Sequence, residues 1–303
     1  MEYRRLGRTG LDVSVLGFGT WQLGGVRWHA PTEEDSVELL RTALAVGINL
    51  FDVSPAYGAY VDSQGVTRCR SLDLLGRAFE DRRERVTFCL KLGQLDERTH
   101  FTSLHPRDLV SQLRKSLELL HSSYADLCLI HAPTIAEIRS GKSLSFLHTV
   151  KSLGLVRAIG YSVENEPVHF KAALSQEIDV VMCQLNILDP QCAELGSWAV
   201  RAGIGVIASS PFKRGYLTGL YGSISDLPDD DDYWTWNKTR CPAKVADLLE
   251  RTRALVKRSG SPESLRSEAL RFCAGLDGIA SVVVGHRRRA EIEENTRHLA
   301  AGA

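Results

Sequence analysis

One pattern restricts this chain more than any other. Short apolar, β-branched runs return along its length, and most are followed by a stretch with apolar residues at helical spacing. The runs cover 15–19, 48–53, 86–92, 125–131, 156–162, 180–185, 205–209 and 280–284. Amphipathic stretches cover 33–44, 107–120, 167–175, 193–201, 245–257 and 263–275. Two carry start markers: Thr32 stands as an N-cap before Glu33, and Ser261-Pro262-Glu263 puts proline at a first helical position. Eight strands alternating with helices over 303 residues predict a (β/α)8 barrel. The competing fold is an open doubly wound sheet, which wants a glycine-rich phosphate turn after its first strand. Here Gly17-Phe18-Gly19-Thr20-Trp21 lacks the third glycine and does not run into a helix. The opening segment 3–14, with Arg8-Thr9-Gly10 as its turn, reads as a β-hairpin that plugs the bottom of the barrel. The longest irregular stretch is 216–240, and no linker or repeat divides the chain, so residues 1–303 are expected to form a single domain.

Bulk properties exclude several functions. Formal net charge is zero and the pI is about 7.1, which gives no support to a nucleic-acid or membrane-surface role. No apolar run is long enough to cross a bilayer, and the first residues, Met1-Glu2-Tyr3-Arg4-Arg5, lack the apolar core of a signal peptide. Seven cysteines occur singly at 69, 89, 128, 183, 192, 241 and 273, without a Cys-x-x-Cys pair. They read as reduced, mostly buried thiols of a cytoplasmic protein, and no Cys and His cluster suggests a metal site.

A barrel of this kind carries its chemistry at the C-terminal ends of its strands. The second run ends in Asp52, with Tyr57 in the loop beyond; the third ends near Lys91; the fourth ends at His131. Singly, each has an ordinary structural role: an aspartate capping a loop, a rim lysine, a histidine satisfied by its neighbours. Together, on three successive strands facing one mouth, they suit one reaction. A carbonyl that receives hydride needs a proton donor for its oxygen. Tyrosine ordinarily titrates at about pH 10, and an adjacent ammonium favours the phenolate. Lys91 is placed to lower the pKa of Tyr57, Asp52 to balance Lys91 as a buried ion pair, and His131 to hydrogen-bond the carbonyl oxygen. A barrel hydrolase using Asp52 and Asp126 is the weaker alternative, because Asp126 opens the fourth strand at the wrong end.

The motif Asp52-Val53-Ser54-Pro55-Ala56-Tyr57-Gly58 resembles the signature of the aldo-keto reductase superfamily, as does Gly17-Phe18-Gly19-Thr20-Trp21. The likeness runs from Leu6-Gly7 to Glu293-Glu294-Asn295, and takes in Ser116-Leu117-Glu118-Leu119-Leu120 and Asp126-Leu127-Cys128-Leu129-Ile130-His131. It implies a barrel, an NAD(P)H cofactor extended across the mouth, no metal, and a catalytic tetrad of Asp52, Tyr57, Lys91 and His131. It also implies cofactor contacts. Gly19, Thr20 and Trp21 end the first strand. Ser162 and Gln184 hold the carboxamide, although the asparagine expected after Ser162 is Val163 here and the nearest is Asn165. Ser209 stands where an aromatic residue usually stacks on the nicotinamide. Ser210, Phe212, Gly215 and Leu217 belong to the loop that wraps the pyrophosphate. Gly285, Arg287, Arg288, Glu294 and Asn295 belong to the segment that grips adenosine. An arginine cluster at a helix N-terminus suits a 2′-phosphate and favours NADP(H). Glu291, which would repel a phosphate, and His286, in place of a small hydroxyl residue, keep NAD(H) open.

Ser54-Pro55-Ala56-Tyr57 and Ser281-Val282-Val283-Val284-Gly285 lean toward the sugar dehydrogenase branch of that superfamily. Ala132, where relatives often carry tryptophan, enlarges the pocket, and Trp21 and Trp28 are candidate substrate walls. Tyr233-Trp234-Thr235-Trp236 reads either as a lid or as a surface loop packing its own aromatics; the run Asp229-Asp230-Asp231-Asp232 before it reads as solvated. The expected function is interconversion of a small carbonyl compound or sugar and its alcohol. The alternative, from another class, is a nicotinamide-binding regulatory subunit with little turnover, like the potassium-channel β subunits related to the superfamily.

Overall fold

A computed structural model describes residues 1–300 apart from 66 and 100, with the backbone alone at Leu195. Eight parallel strands form a closed barrel: β1 (Leu16–Gly19), β2 (Leu50–Val53), β3 (Thr87–Leu92), β4 (Ala125–His131), β5 (Val156–Val163), β6 (Val180–Gln184), β7 (Gly205–Ser209) and β8 (Ile279–Gly285). They pair in chain order and β8 returns to β1, so the sheet has no free edge. Closure removes the open-sheet alternative, and every predicted run contains or overlaps one of these strands.

Strand side chains alternate between the barrel interior and the helix-covered outside. The inward set packs Leu50, Cys89, Leu127, Leu129, Ala158, Met182, Ile207 and Val283 into one interior cluster. The outward set, including Phe51, Phe88, Cys128, Ile159, Val181 and Val206, joins the larger apolar layer. Carried two residues further toward the strand ends, or four on β5, the inward alternation brings Asp52, Lys91, His131, Ser162, Gln184 and Ser209 to one rim. The apolar interior therefore ends, on six successive strands, in polar residues at the same mouth.

The opposite end is closed as the opening segment suggests. Its arms, Tyr3–Arg5 and Asp12–Ser14, pair antiparallel, and Leu6 and Val13 are fully buried in the interior cluster. Gly7 has φ +51°, and a Cβ there would stand 2.3 Å from the Gly205 amide nitrogen, so the hairpin meets β7 only through glycine.

Predicted helices appear at Glu33–Ala45, Pro106–Leu119, Pro167–Leu174, Gly196–Arg201, Pro242–Ser259 and Pro262–Ala274. Thr32 Oγ1 accepts from the Asp35 amide at 3.1 Å and Ser261 Oγ from the Ser264 amide at 3.0 Å, as N-caps do. The structure adds helices at Arg70–Phe79, Ile135–Ser140, Lys142–Ser152 and Arg289–Ala300, and a hairpin of Ala59–Val61 with Thr67–Cys69. Arg70–Phe79 is obscured in sequence by Gly76, which reads as a breaker. Its missing Cβ is what lets that helix lie against the Leu119 carbonyl, 2.1 Å from where a Cβ would stand.

The stretch 216–240 is not irregular throughout. It contains a turn of 3-10 helix at Ile224–Asp226 and a helix at Asp232–Arg240. Tyr233 and Trp234 are buried with Trp28, Tyr216, Leu227 and Val245 in a separate aromatic cluster. The acidic run is solvated at Asp229, Asp230 and Asp232, but Asp231 is fully buried. Its carboxylate accepts from the His29 amide and, with both oxygens at 3.1 Å, from Arg287. Among the described residues no helix is long and apolar enough to cross a membrane, and the seven cysteines are free thiols.

Candidate active site

Tyr57 reaches the mouth from a tight turn beyond β2. Its amide donates to the Ser54 carbonyl at 2.9 Å, and its carbonyl accepts from Cys69 Sγ at 3.1 Å and from the Ser71 amide at 3.3 Å. Gly58, with φ +77°, lets the chain turn where a Cβ would strike the Gly24 carbonyl at 2.3 Å. The tyrosine is thus locked to the start of the Arg70–Phe79 helix and to the loop after β1.

Four residues singled out from sequence meet there. The Lys91 ammonium donates to Asp52 Oδ2 at 2.9 Å and to the Tyr57 hydroxyl oxygen at 2.7 Å. The His131 ring stands edge-on to the Tyr57 ring, with centroids 6.0 Å apart at 86°. Asp52, Tyr57 and Lys91 are buried, and His131 is half-buried. With the ammonium on the phenol oxygen, the phenol proton is left to point elsewhere. Burial pushes the Tyr57 phenol up to about 12, and Lys91 pulls against that without overcoming it. The expected net lowering by Lys91 is therefore corrected: desolvation wins, and the phenol is protonated at neutral pH. Burial also raises the Asp52 carboxyl, with Lys91 opposing. For Lys91, burial works against the charge, but Asp52 and Tyr57 hold it above its ordinary value. Asp126 sits at the far end of β4, bound by Arg83 at 2.7 Å, Arg157 at 3.1 Å and the Phe88 amide at 3.0 Å, so it is no partner for Asp52.

Along the rim, Gly19 and Gly285 lie side by side at the ends of β1 and β8. Ser162 pairs in register with His131, and Gln184 donates to Glu164 at 3.1 Å; both are half-exposed polar groups at the mouth. Thr20 faces inward instead. Its amide and hydroxyl both donate to the Asp52 carbonyl, at 3.1 and 2.9 Å, so its side chain serves β2. In the loop after β7, Ser210, Lys213, Arg214 and Gly215 all have positive φ, and the Leu217 amide donates to the Phe212 carbonyl at 3.0 Å. The Leu217 side chain is fully buried and Phe212 packs on the core, so these two residues have mainly their backbone to offer a ligand, while the Arg214 side chain is exposed.

The segment after β8 is tied together by its own side chains. Arg287 is held by Asp231, and its amide donates to Glu291 at 2.7 Å. Arg288 donates to Glu291 through Nε at 3.0 Å and through its amide at 3.3 Å. Glu294 is bound to Arg266 at 2.6 Å and to His298 at 3.1 Å. Asn295 is buried against His286, Nδ2 to Nε2 at 3.1 Å. All four side chains have partners within the protein, and the Arg288 guanidinium stays 74% exposed beside Glu291. His286 is fully buried beside Phe18, and burial lowers its imidazole to about 4.

The aromatic wall divides its labour. The Trp21 ring stands 6.3 Å from Tyr57, 5.2 Å from Trp28 and 5.9 Å from Tyr233. Trp28 is as buried as Lys91 and stacks on Tyr233 at 4.6 Å. Sequence reasoning missed Glu97, which is only 4% exposed. Its carboxylate accepts from Trp21 Nε1 and, at 3.2 Å, from the Gly58 amide. Within the polar string Asp96-Glu97-Arg98-Thr99 nothing distinguishes it from a solvated loop residue.

The aldo/keto reductase family model matches residues 15–301. The chain is 28% identical to L-galactose dehydrogenase of Arabidopsis thaliana over 307 residues, covering 97% of this chain and 87% of that one. It is 25% identical to the NADH-specific methylglyoxal reductase of Escherichia coli (strain K12), over 97% and 92% of the two chains. The fold superposes on an aldo-keto reductase from Bacillus halodurans in its holo form with a TM-score of 0.72, at 24% identity and 99% and 91% coverage. The chain therefore belongs to the aldo/keto reductase family of nicotinamide-dependent oxidoreductases, which interconvert carbonyls and alcohols.

Proposed function

We propose that the protein interconverts a small carbonyl compound, an aldehyde, ketone or sugar, and its alcohol, with Tyr57 carrying the proton. The observation that supports this reading above all is the buried relay Asp52–Lys91–Tyr57, at 2.9 and 2.7 Å, below a rim of polar strand ends. In reduction the Tyr57 phenol gives its proton to the substrate oxygen, and the Lys91 ammonium stabilises the phenolate left behind. Asp52 keeps Lys91 charged in a dry site. His131 orients the carbonyl by a hydrogen bond. A bound nicotinamide supplies or accepts the hydride.

Ser162 and Gln184 fit the carboxamide of such a cofactor, and the backbone of the loop after β7 fits its phosphates. At the adenosine end, the Glu291 carboxylate already takes the amides of Arg287 and Arg288 and the Arg288 guanidinium. The Arg288 and Arg289 guanidinium groups stay exposed beside them and suit a 2′-phosphate, which favours NADP(H), while the Glu291 charge keeps NAD(H) open. The likeness to L-galactose dehydrogenase and the indole face of Trp21 support an aldose or similar polar carbonyl as substrate. The free cysteines support a cytoplasmic setting, and the family match over residues 15–301 supports the reading of the chain as a single domain.

The test is a panel of aldehydes, ketones and aldoses assayed by nicotinamide absorbance with both cofactors. Tyr57→Phe is expected to lower kcat by about a hundredfold to ten-thousandfold while cofactor fluorescence still reports binding. A wild-type protein that binds cofactor and turns over nothing on the panel overturns the enzymatic reading in favour of a regulatory subunit.

A further inference from the structure

Glu97 is a charged side chain in a place that gives charge little solvation. It lies on the loop beyond β3, yet it is buried against the loop after β1 and the turn after β2. Its two oxygens are divided between two donors: Oε2 takes the Trp21 indole and Oε1 takes the Gly58 amide at 3.2 Å. These donors flank the Tyr57 phenol, because Gly58 is the next residue in the chain and the Trp21 ring lies 6.3 Å from the tyrosine ring. One carboxylate thereby ties three loops together around the proton carrier. The role rests on the reading of Tyr57 above.

We propose that Glu97 is a positioning residue whose ionised carboxylate clamps the Trp21 indole and the Gly58 amide on either side of Tyr57, setting the substrate-facing wall of the pocket. Both partners are donors, so only the carboxylate satisfies both. A protonated carboxyl keeps one strong acceptor oxygen and turns the other into a hydroxyl, a much poorer acceptor, so one of the two contacts weakens. Burial raises the Glu97 carboxyl to about 7, with the Trp21 and Gly58 hydrogen bonds and the charges of Arg27 and Arg98 pulling it down. The other ionisable groups around it are the Tyr57 phenol and the Cys69 thiol, both pushed up by burial, Asp232, which pairs with Arg27 at 3.1 Å and with Arg98 at 4.0 Å, and the Asp52–Lys91 pair beyond Tyr57. The clamp is therefore closed above neutrality and loosens as pH falls through it.

Two measurements test this. The first needs neither substrate nor cofactor: tryptophan emission of the free protein, followed from about pH 8 to about pH 6, is expected to show a transition near neutrality. Glu97→Gln and Trp21→Phe should both abolish it. The second is steady-state kinetics on the carbonyl substrate. Wild type should show KM rising by about tenfold over the same range, the worth of one charge-assisted hydrogen bond, with the cofactor Kd unchanged. Glu97→Gln should show the raised KM at every pH, with kcat within about twofold, since the relay itself is untouched. A transition that persists in both variants, or is absent from wild type, overturns the proposal, as does a Glu97→Gln KM that matches wild type at high pH. If Glu97→Gln does not fold, Trp21→Phe carries the emission test alone. A transition present in a protein that reduces no carbonyl sinks the functional reading and spares the clamp; normal turnover without the transition does the reverse.

Discussion

A buried tyrosine carries protons only if its phenol can be left as an anion, and at residue 57 two large effects oppose each other. Desolvation favours the neutral phenol, while an ammonium 2.7 Å away favours the phenolate. Desolvation prevails in the free protein, which leaves the Tyr57 phenol protonated, the form the proposed reduction requires. A second side chain of consequence is Glu291, beyond β8. There a carboxylate sits half-exposed among donors that would otherwise stand open to an anion. Glu291→Gln removes the charge and keeps the shape, so NADPH should gain on NADH by roughly tenfold in relative Kd, the effect of about 1.4 kcal/mol. Fluorescence titration of the two cofactors measures it, and a ratio equal to that of wild type would show that Glu291 does not set the preference. Asp52, Lys91 and His131 were legible in sequence because each closes a short apolar run, and Tyr57 because of the motif that follows Asp52. Glu97 was not, because its burial comes from loops remote from it in the chain.

Elements here are fixed at their ends by buried carboxylates. Asp126 opens β4 and joins Arg83, Arg157 and the Phe88 amide of β3, tying the N-terminal ends of three neighbouring strands. Asp126→Ala leaves Arg83, itself largely buried, without its anion, and should destabilise the fold by about 3 kcal/mol. Urea unfolding measures this; a midpoint unmoved from wild type would mean that the surrounding water replaces the carboxylate. Asp231 plays the same part at the mouth, pinning the start of the Asp232–Arg240 helix to the loop after β1. Four identical aspartates in a row cannot announce which one faces inward. The helical turn and the buried cluster of Trp28, Tyr233 and Trp234 make that choice. Strands were easier to foresee than helices, since their apolar runs are short and continuous. The Arg70–Phe79 helix hid behind Gly76, whose reason for being glycine is a neighbouring helix.

At the scale of the whole molecule, the two ends of the barrel are built for different tasks. The bottom is sealed by Leu6 and Val13, which complete the apolar interior, and it bears on stability. The top is left polar, and it bears on function. Leu6→Ala should therefore cost about 2–5 kcal/mol of folding free energy by opening a cavity under the core. Turnover per folded molecule should stay unchanged. A drop in kcat at full folding would mean that floor and mouth are mechanically coupled. The layering also explains why the fold was legible at all. A closed parallel barrel buries both faces of every strand, so each strand must be apolar along most of its length.

What the sequence determined by itself is whatever depends on near neighbours: the strand runs, their order, the hairpin, and the polar residues that end the second, third and fourth strands. A strand's two-residue period then carries those polar residues to one rim without further information. The tertiary structure decided which charges are buried and with whom. Asp231 meets Arg287 across 56 residues of chain, and Glu97 meets Trp21 across 76. Desolvation and ion pairing depend on distance in space, so the direction of the Tyr57 shift, the engagement of the arginines after β8 and the clamp at Glu97 exist only once the barrel has closed.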